Sequence, residues 1–274
     1  MLVFNFHHVE SQVRHQNRRH ISISPAGLRC FIRTLRLLGF NIVSLRDLLT
    51  QPTDREAHLP DQSQRQVIIT FDDGYENNYL EALPVLESEQ CPASIFVLPG
   101  RFGGTNVWDQ ADLAPDKRDK LMNVDQLAEM TASPLITLGS HGLYHRDLTQ
   151  LSASDFLDEV NQSYAILSET FPKAFLPVLA YPWGYYSDRE TELLRQTAYQ
   201  CAFTVEKRPW ETGDSPLAVP RFTAFYRDGN PMVLISKLMR HGVIFKAFSQ
   251  QFSMQLSYAE NKTVKQDKAL RFAL

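Results

Sequence analysis

Short apolar runs alternate with amphipathic stretches along most of the chain. Runs rich in β-branched and aromatic residues occupy positions 2–6, 67–71, 93–98 and 175–180, a composition typical of buried strands. Between them, apolar residues recur three and four positions apart, as in helices that cover a sheet. Six or seven such βα units predict an α/β fold, specifically a distorted (β/α) barrel of about seven parallel strands.

Polar residues at fixed positions predict where the helices begin and end. Ser24 followed by Pro25 is typical of a helix N-terminus, and Gly39 then ends the apolar periodicity. The same pattern predicts further helices at 79–89, 124–131, 153–169 and 188–197. Residues 51–65 are polar and contain proline, so a surface loop is expected there.

The pattern changes after residue 229. The 274 residues suffice for one barrel domain, which we place at 1–229, and a small C-terminal part at 230–274. Apolar residues predict an amphipathic helix at the start of that part, namely Val233, Leu234, Leu238 and Met239. The end, residues 258–274, is lysine-rich and polar, so it is expected to be a loosely held tail.

Two adjacent carboxylates, Asp72 and Asp73, follow the apolar run at 67–71. Parallel α/β folds place their chemistry at strand ends, and adjacent residues on a strand point to opposite sides. The two acids can therefore do different work, one binding a cation and one accepting a proton. His141 and His145 follow another apolar run and supply neutral nitrogen ligands. One carboxylate and two imidazoles form a three-ligand site with positions left for water and substrate.

A third segment, Tyr181-Pro182-Trp183-Gly184, follows the run at 175–180. Together with the first two motifs it resembles the polysaccharide deacetylases of carbohydrate esterase family 4, which contain the NodB homology domain. The resemblance covers roughly residues 1–225. It implies the same barrel fold and hydrolysis of a non-peptide carbon–nitrogen bond.

The resemblance also implies roles for individual residues. Asp72 corresponds to the general base, whereas Asp73, His141 and His145 correspond to the ligands of a divalent metal. Zinc is the expected metal, with cobalt and nickel as alternatives. The expected substrate is an N-acetylated glycan. The residues predicted to bind it are Tyr181, Pro182, Trp183 and Trp108.

The later motifs of the family are altered. Ala180 stands where an arginine often precedes the Pro-Trp segment, and neither the Asp-and-Trp element nor the Leu-x-His element has a clear match. Such divergence resembles the subgroup that deacetylates poly-N-acetylglucosamine. Two substitutes are predicted: Arg221 supplies the missing positive charge beside Asp72, and His7 protonates the leaving amine. The alternatives are a structural ion pair for Arg221 and a core position for His7.

Two other functions remain open at the level of sequence. One is an amidase that hydrolyses a small non-sugar C–N bond on the same scaffold. The other is a carbohydrate-binding relative without catalysis, although a retained Asp72 argues against it because binding needs no base. The formal net charge is −3, so the chain has no excess of the positive charge that nucleic-acid-binding proteins use, and no nucleic-acid partner is expected.

Three further features of the sequence bear on the cellular compartment of the protein. No apolar run reaches the 18 residues typical of a membrane span. Three scattered cysteines predict buried or free thiols in a reducing compartment. The N-terminus enters a strand-like run without the features of a signal peptide, so a cytoplasmic protein is expected, or an exported one if a leader was removed. The oligomeric state is not predicted.

Overall fold

The computed structural model describes residues 1–11, 21–49 and 65–244. By its internal contacts the chain forms two units, Met1–Pro231 and Met232–Leu274. The predicted tail at 258–274, and all but the last residue of the predicted loop at 51–65, lie outside the described residues. The division at 229/230 stays a prediction.

A parallel sheet forms the first unit. In the described ranges the strands are β1 (Leu2–Phe6), β2 (His8–Val9), β3 (Ser22–Ile23), β4 (Asn41–Ile42), β5 (Gln66–Phe71), β6 (Ala93–Val97), β7 (Ile136–Ser140), β8 (Phe175–Ala180), β9 (Cys201–Phe203) and β10 (Phe222–Thr223). Seven of them lie side by side in the order β10-β1-β5-β6-β7-β8-β9, and β4 pairs with β5. Every pairing in this sheet is parallel. The predicted α/β barrel of about seven parallel strands is confirmed.

Over the same ranges the helices are α1 (Pro25–Leu37), α2 (Leu45–Leu49), α3 (Leu83–Ser88), α4 (Val124–Ala132), α5 (Ala153–Thr170), α6 (Asp188–Leu194) and α7 (Pro231–Arg240). Helices α1 to α6 lie between successive strands, and α7 follows the last one. The predicted start of α1 is confirmed, because the Ser24 hydroxyl accepts a hydrogen bond from the Gly27 N–H at 3.0 Å. The helix predicted at 79–89 is instead a π-helical turn, Asn78–Ala82, followed by α3. Pro84 lacks the N–H that a continuous α-helix would use there.

Residues 217–223 join the two edges of the sheet. Val219 forms a parallel bridge with Phe203 of β9, and its N–H donates to Ala202 at 2.8 Å. A few residues later, Phe222 pairs with Phe4 of β1. The segment therefore bonds to β9 at one edge of the sheet and to β1 near the other edge, so it links the two sides of the curled sheet.

Alternation along β1 shows how the sheet is covered on both faces. Phe4 and Phe6 contact Phe31 of α1 edge-on, with ring centroids 5.0 and 5.1 Å apart. Val3 instead belongs to a buried cluster together with residues from β5, β6, β8 and β9. Burial on both faces explains why the strands read as continuous apolar runs. Asn5, which lies on the same face as Val3, is the polar exception and reaches the candidate site.

The three cysteines are free thiols, and Cys91 and Cys201 are buried. Burial raises the pKa of both, that of Cys91 to about 12. Thiols of this kind are unreactive at neutral pH. Among the described residues, no helix has the length and apolar character needed to cross a bilayer.

Candidate metal and catalytic site

A cavity of about 670 Å³ lies at the carboxyl ends of the strands in the first unit. His7 follows β1, Asp72 and Asp73 follow β5, His141 follows β7, and Trp183 follows β8. All five line the cavity. The parallel arrangement gathers side chains from strands distant in sequence at one end of the barrel, where such folds place their active sites.

Asp73, His141 and His145 form a compact group on the cavity wall. The Asp73 Oδ1 atom lies 3.3 Å from Nε2 of His141 and 3.2 Å from Nε2 of His145. One ligand atom from each residue falls within 4.8 Å of the others, and all three residues are buried. The group is thus compact enough for its three side chains to contact one ion.

The hydrogen bonds of this group fit a bound cation. His141 Nδ1 lies 2.8 Å from the Ala180 carbonyl oxygen, which can only accept, so this nitrogen carries the proton. In the neutral imidazole Nε2 is then a lone-pair donor that faces Asp73. The Asp73 Oδ1 atom is buried and has no hydrogen-bond partner. Lone pairs converging on one point suit a divalent cation, and oxygen plus nitrogen donors suit zinc, cobalt or nickel.

Burial and mutual contacts shift the pKa values of the three residues. Burial would raise the pKa of Asp73, but the adjacent imidazoles of His141 and His145 hold it well below its usual value. Burial lowers the pKa of His145. Burial also acts to lower the pKa of His141, but the adjacent Asp73 carboxylate and the charge of Asp72 raise it on balance. Asp73 is therefore ionised at neutral pH, as a metal ligand must be.

The backbone at this site adopts an unusual conformation. Asp73, His145 and Trp183 have φ angles of 71°, 60° and 55°. Within the described ranges only one other non-glycine residue, Gln90, has a positive φ. This left-handed region is unfavourable for residues with a Cβ atom, most of all for bulky ones. Such conformations concentrate at functional sites, where surrounding contacts hold them in place.

Asp72 lies next to the metal-ligand group but bonds to different partners. Arg221 Nη1 donates to its Oδ1 at 2.7 Å and Nη2 to its Oδ2 at 2.8 Å, a two-pronged ion pair. Asn5 also donates to Oδ2, at 3.1 Å. Burial would raise the pKa of Asp72, but the charge of Arg221, with smaller contributions from His141 and His7, lowers it overall. Asp72 is therefore ionised and fixed in orientation.

Arg221 is itself fully buried by contacts on every side. Its Nε donates to the Thr204 carbonyl at 2.9 Å and Nη1 to the Thr70 hydroxyl at 3.1 Å. The guanidinium carbon lies 5.5 Å from the Phe96 ring centroid and 5.7 Å from that of Phe203. The ion pair is thus shielded from water, in a setting where each charge depends on the other.

Replacing Arg221 with methionine should destabilise the fold by about 3–5 kcal/mol, because the variant leaves the Asp72 carboxylate buried without its counter-charge. Denaturant unfolding measures the change. The matched control is Arg208→Met, which removes partly exposed ion pairs with Glu206 and Asp214 and should cost about 1 kcal/mol or less. Equal effects of the two variants would contradict the prediction.

Not every predicted site residue reaches the cavity. His7, Trp108 and Trp183 line it, and Trp108 stacks on His145 with ring centroids 4.4 Å apart. Tyr181 does not: its ring is fully buried and its hydroxyl donates to the Leu217 carbonyl at 3.0 Å. The side chain of Tyr181 is thus part of the core, a correction to its predicted contact with substrate.

Two other placements bear on the sequence predictions. Pro182 is buried and is not among the residues that line the cavity. Its side chain therefore does not make the predicted contact with a substrate in the cavity. Asn5, in contrast, contacts Asp72 and was not predicted. The signal available was one amide in the apolar run Leu-Val-Phe-Asn-Phe, since an uncompensated polar residue in a buried strand requires a partner.

Comparison with known proteins agrees with this geometry. Residues 60–202 match the polysaccharide deacetylase family, and this range is just over half of the chain. The chain belongs to the polysaccharide deacetylase family. The match confirms the predicted family and its class of enzyme.

Individual relatives align over larger or smaller parts of the chain. YxkH of Bacillus subtilis (strain 168) is 29% identical over 53% of this chain, but that alignment spans only 46% of YxkH. The poly-β-1,6-N-acetyl-D-glucosamine N-deacetylase of Staphylococcus aureus (strain MRSA252) is 24% identical over 74% of this chain and 68% of its own length.

Solved structures show the same fold. The Streptococcus pyogenes deacetylase PplD, in complex with acetate, superimposes with a TM-score of 0.68 at 19% identity, over 86% of this chain and 97% of PplD. IcaB from Ammonifex degensii gives 0.66 at 24% identity, over 86% of this chain and 96% of IcaB. At these identities the likeness establishes the architecture of the barrel.

Proposed function

We propose that this protein is a metal-dependent hydrolase that removes N-acetyl groups from a polysaccharide or oligosaccharide containing N-acetylglucosamine. The observation that carries the proposal is that two adjacent aspartates have different bonding partners. Asp73 faces two imidazole nitrogens, whereas Asp72 faces Arg221 and stands outside that group. One carboxylate is arranged to bind a cation, and the other is left to handle a proton.

Asp73, His141 and His145 would hold the cation. A divalent ion bound there lowers the pKa of water and polarises a carbonyl oxygen. Asp72 is ionised and fixed by Arg221, so it can accept a proton from the attacking water. The two-pronged bond sets the direction of the Asp72 oxygens, since both guanidinium nitrogens on that side donate to them.

His7 is the proposed proton donor to the leaving amine. It lines the cavity at the end of β1, and its Nδ1 atom is buried without a hydrogen-bond partner. An imidazole can both donate and accept a proton, which suits a group that must give one up and regain it. Trp108 and Trp183 supply aromatic faces on the cavity wall, on which a sugar ring can pack.

The name of the staphylococcal relative supports a poly-β-1,6-N-acetylglucosamine substrate. In the direct experiment the metal-loaded protein is incubated with β-1,6- and β-1,4-linked N-acetylglucosamine oligomers, and released acetate and new free amines are measured. Deacetylation should produce the two in equal amounts. Release that stops with a chelator and returns with zinc, cobalt or nickel is the expected result. Hydrolysis of small amides alone would favour the amidase alternative, and oligomer binding without acetate would favour the non-catalytic one.

Replacing Trp183 with alanine should raise KM for an oligomer about 3- to 10-fold, equivalent to about 1 kcal/mol of lost packing. Trp183 is 37% exposed and lines the cavity, so it can contact the substrate directly. Steady-state kinetics on one oligomer measures the effect. Tyr226→Ala is the control, because Tyr226 is an exposed aromatic that does not line the cavity. An unchanged KM for the Trp183 variant would remove this residue from the substrate site.

A further inference from the structure

The segment between the two candidate histidine ligands bonds to a carboxylate on α5. Glu159 is 3% exposed, and its Oε1 atom accepts hydrogen bonds from the N–H groups of Leu143 at 3.0 Å and Tyr144 at 2.7 Å. These two residues stand between His141 and His145 in sequence. A single buried oxygen therefore fixes the middle of the segment that carries both imidazoles.

This segment needs such support because its conformation is unfavourable on its own. Gly142 has a φ of 82° and His145 a φ of 60°, so the chain turns through the left-handed region at two of its five residues. N–H groups in consecutive residues that point to one side create a concave site for an anion. The Glu159 carboxylate occupies that concave site and satisfies the buried N–H of Leu143 as well as the partly buried N–H of Tyr144.

A second residue of α5 bonds to the same segment. The Ser163 hydroxyl lies 2.7 Å from the Ser140 hydroxyl and donates to the Gly142 carbonyl at 3.1 Å. Glu159 also pairs with Arg146, whose Nη1 is 3.8 Å from Oε2 and whose side chain is about half exposed. The short bonds of Glu159 are thus those to the backbone N–H groups.

We propose that Glu159 is a positioning residue, whose carboxylate holds residues 141–145 in the form that directs both imidazoles towards Asp73. The inference rests on the proposed metal site and adds a residue that contacts neither metal nor substrate. Groups that orient metal ligands from outside typically contribute 10- to 100-fold in metal affinity. The required property of Glu159 is an acceptor oxygen at that position, which a glutamine also provides.

The test compares metal affinity in Glu159→Leu and Glu159→Gln, measured by competition with a chelator for zinc and by the visible spectrum of bound cobalt. We expect the leucine variant to bind zinc about 10- to 100-fold more weakly with an altered cobalt spectrum. The glutamine variant should stay close to wild type, because its amide oxygen accepts the same two hydrogen bonds. Asp158→Asn, on the exposed side of α5, is the matched control.

Wild-type affinity and spectrum in the leucine variant, or an equal loss in the glutamine variant, would overturn the inference. If the leucine variant does not fold, Glu159→Asp replaces it, since this change keeps the charge and withdraws the acceptor by one methylene. It should weaken zinc binding in the same direction, and unchanged binding would again overturn the inference. A wild-type protein that binds no metal would instead refute the proposed function.

Discussion

The Asp72→Asn variant is expected to release acetate about 10²- to 10⁴-fold more slowly than wild type while it keeps the same metal content. The amide has the shape of the carboxylate but cannot accept the proton of the attacking water, and a positioned base contributes a factor of this size. Asp72 bonds to Arg221 and Asn5. The two candidate histidine ligands instead contact Asp73. Loss of turnover should therefore not be accompanied by loss of metal.

Acetate release under saturating oligomer and metal analysis on the same samples check this expectation together. Asp125→Asn is the control, because Asp125 lies on the exposed first turn of α4, where the same chemical change should have no effect on rate. A variant at Asp72 that retains wild-type turnover would remove the residue from its proposed role. A variant that loses metal as well would place Asp72 among the ligands.

The second large effect concerns the metal itself. Asp73→Ala and His141→Ala should each purify with almost no bound metal, and excess zinc should restore activity poorly. Each change removes one of three ligands whose donor atoms lie within 4.8 Å of one another, so the site that remains has too few protein ligands for a catalytic metal. Elemental analysis gives the metal content per chain.

His7→Ala is the matched control for these two variants. His7 lines the same cavity but is not part of the metal-ligand group, so the alanine variant should keep its metal while it loses activity. Wild-type metal content in both ligand variants would contradict the assignment. Loss of metal in the His7 variant would show that the group extends beyond the three proposed ligands.

The strands were predictable because burial on both faces leaves a local signal. The apolar run at 175–180 predicts a strand with the same bounds as β8, because every residue of β8 is fully or partly buried. Where the fold depends on contacts distant in sequence, prediction was less complete. The last part of the sheet consists of one bridge at Val219 and the two-residue strand Phe222–Thr223, and so short a segment has no apolar run that would predict its bounds.

The candidate site was predictable where a motif follows a strand directly. Asp72, Asp73 and His141 each stand just after one, so the fold itself brings them together. Tyr181 is also in such a position, yet its side chain turns into the core. The left-handed backbone conformation of Trp183 was not predictable from the sequence either, because a strained residue has no distinctive neighbouring residues.

The closing segment of the ring has a consequence for a nascent polypeptide. Arg221 lies between Val219, which bridges to β9, and Phe222, which pairs with β1. A ribosome-bound chain that has emerged only as far as α6 already contains every candidate ligand but not the guanidinium that neutralises Asp72. Asp72 therefore acquires its counter-ion only when the residues that pair with the N-terminal strand have been synthesised, which makes this ion pair one of the last contacts of the barrel to become available during translation.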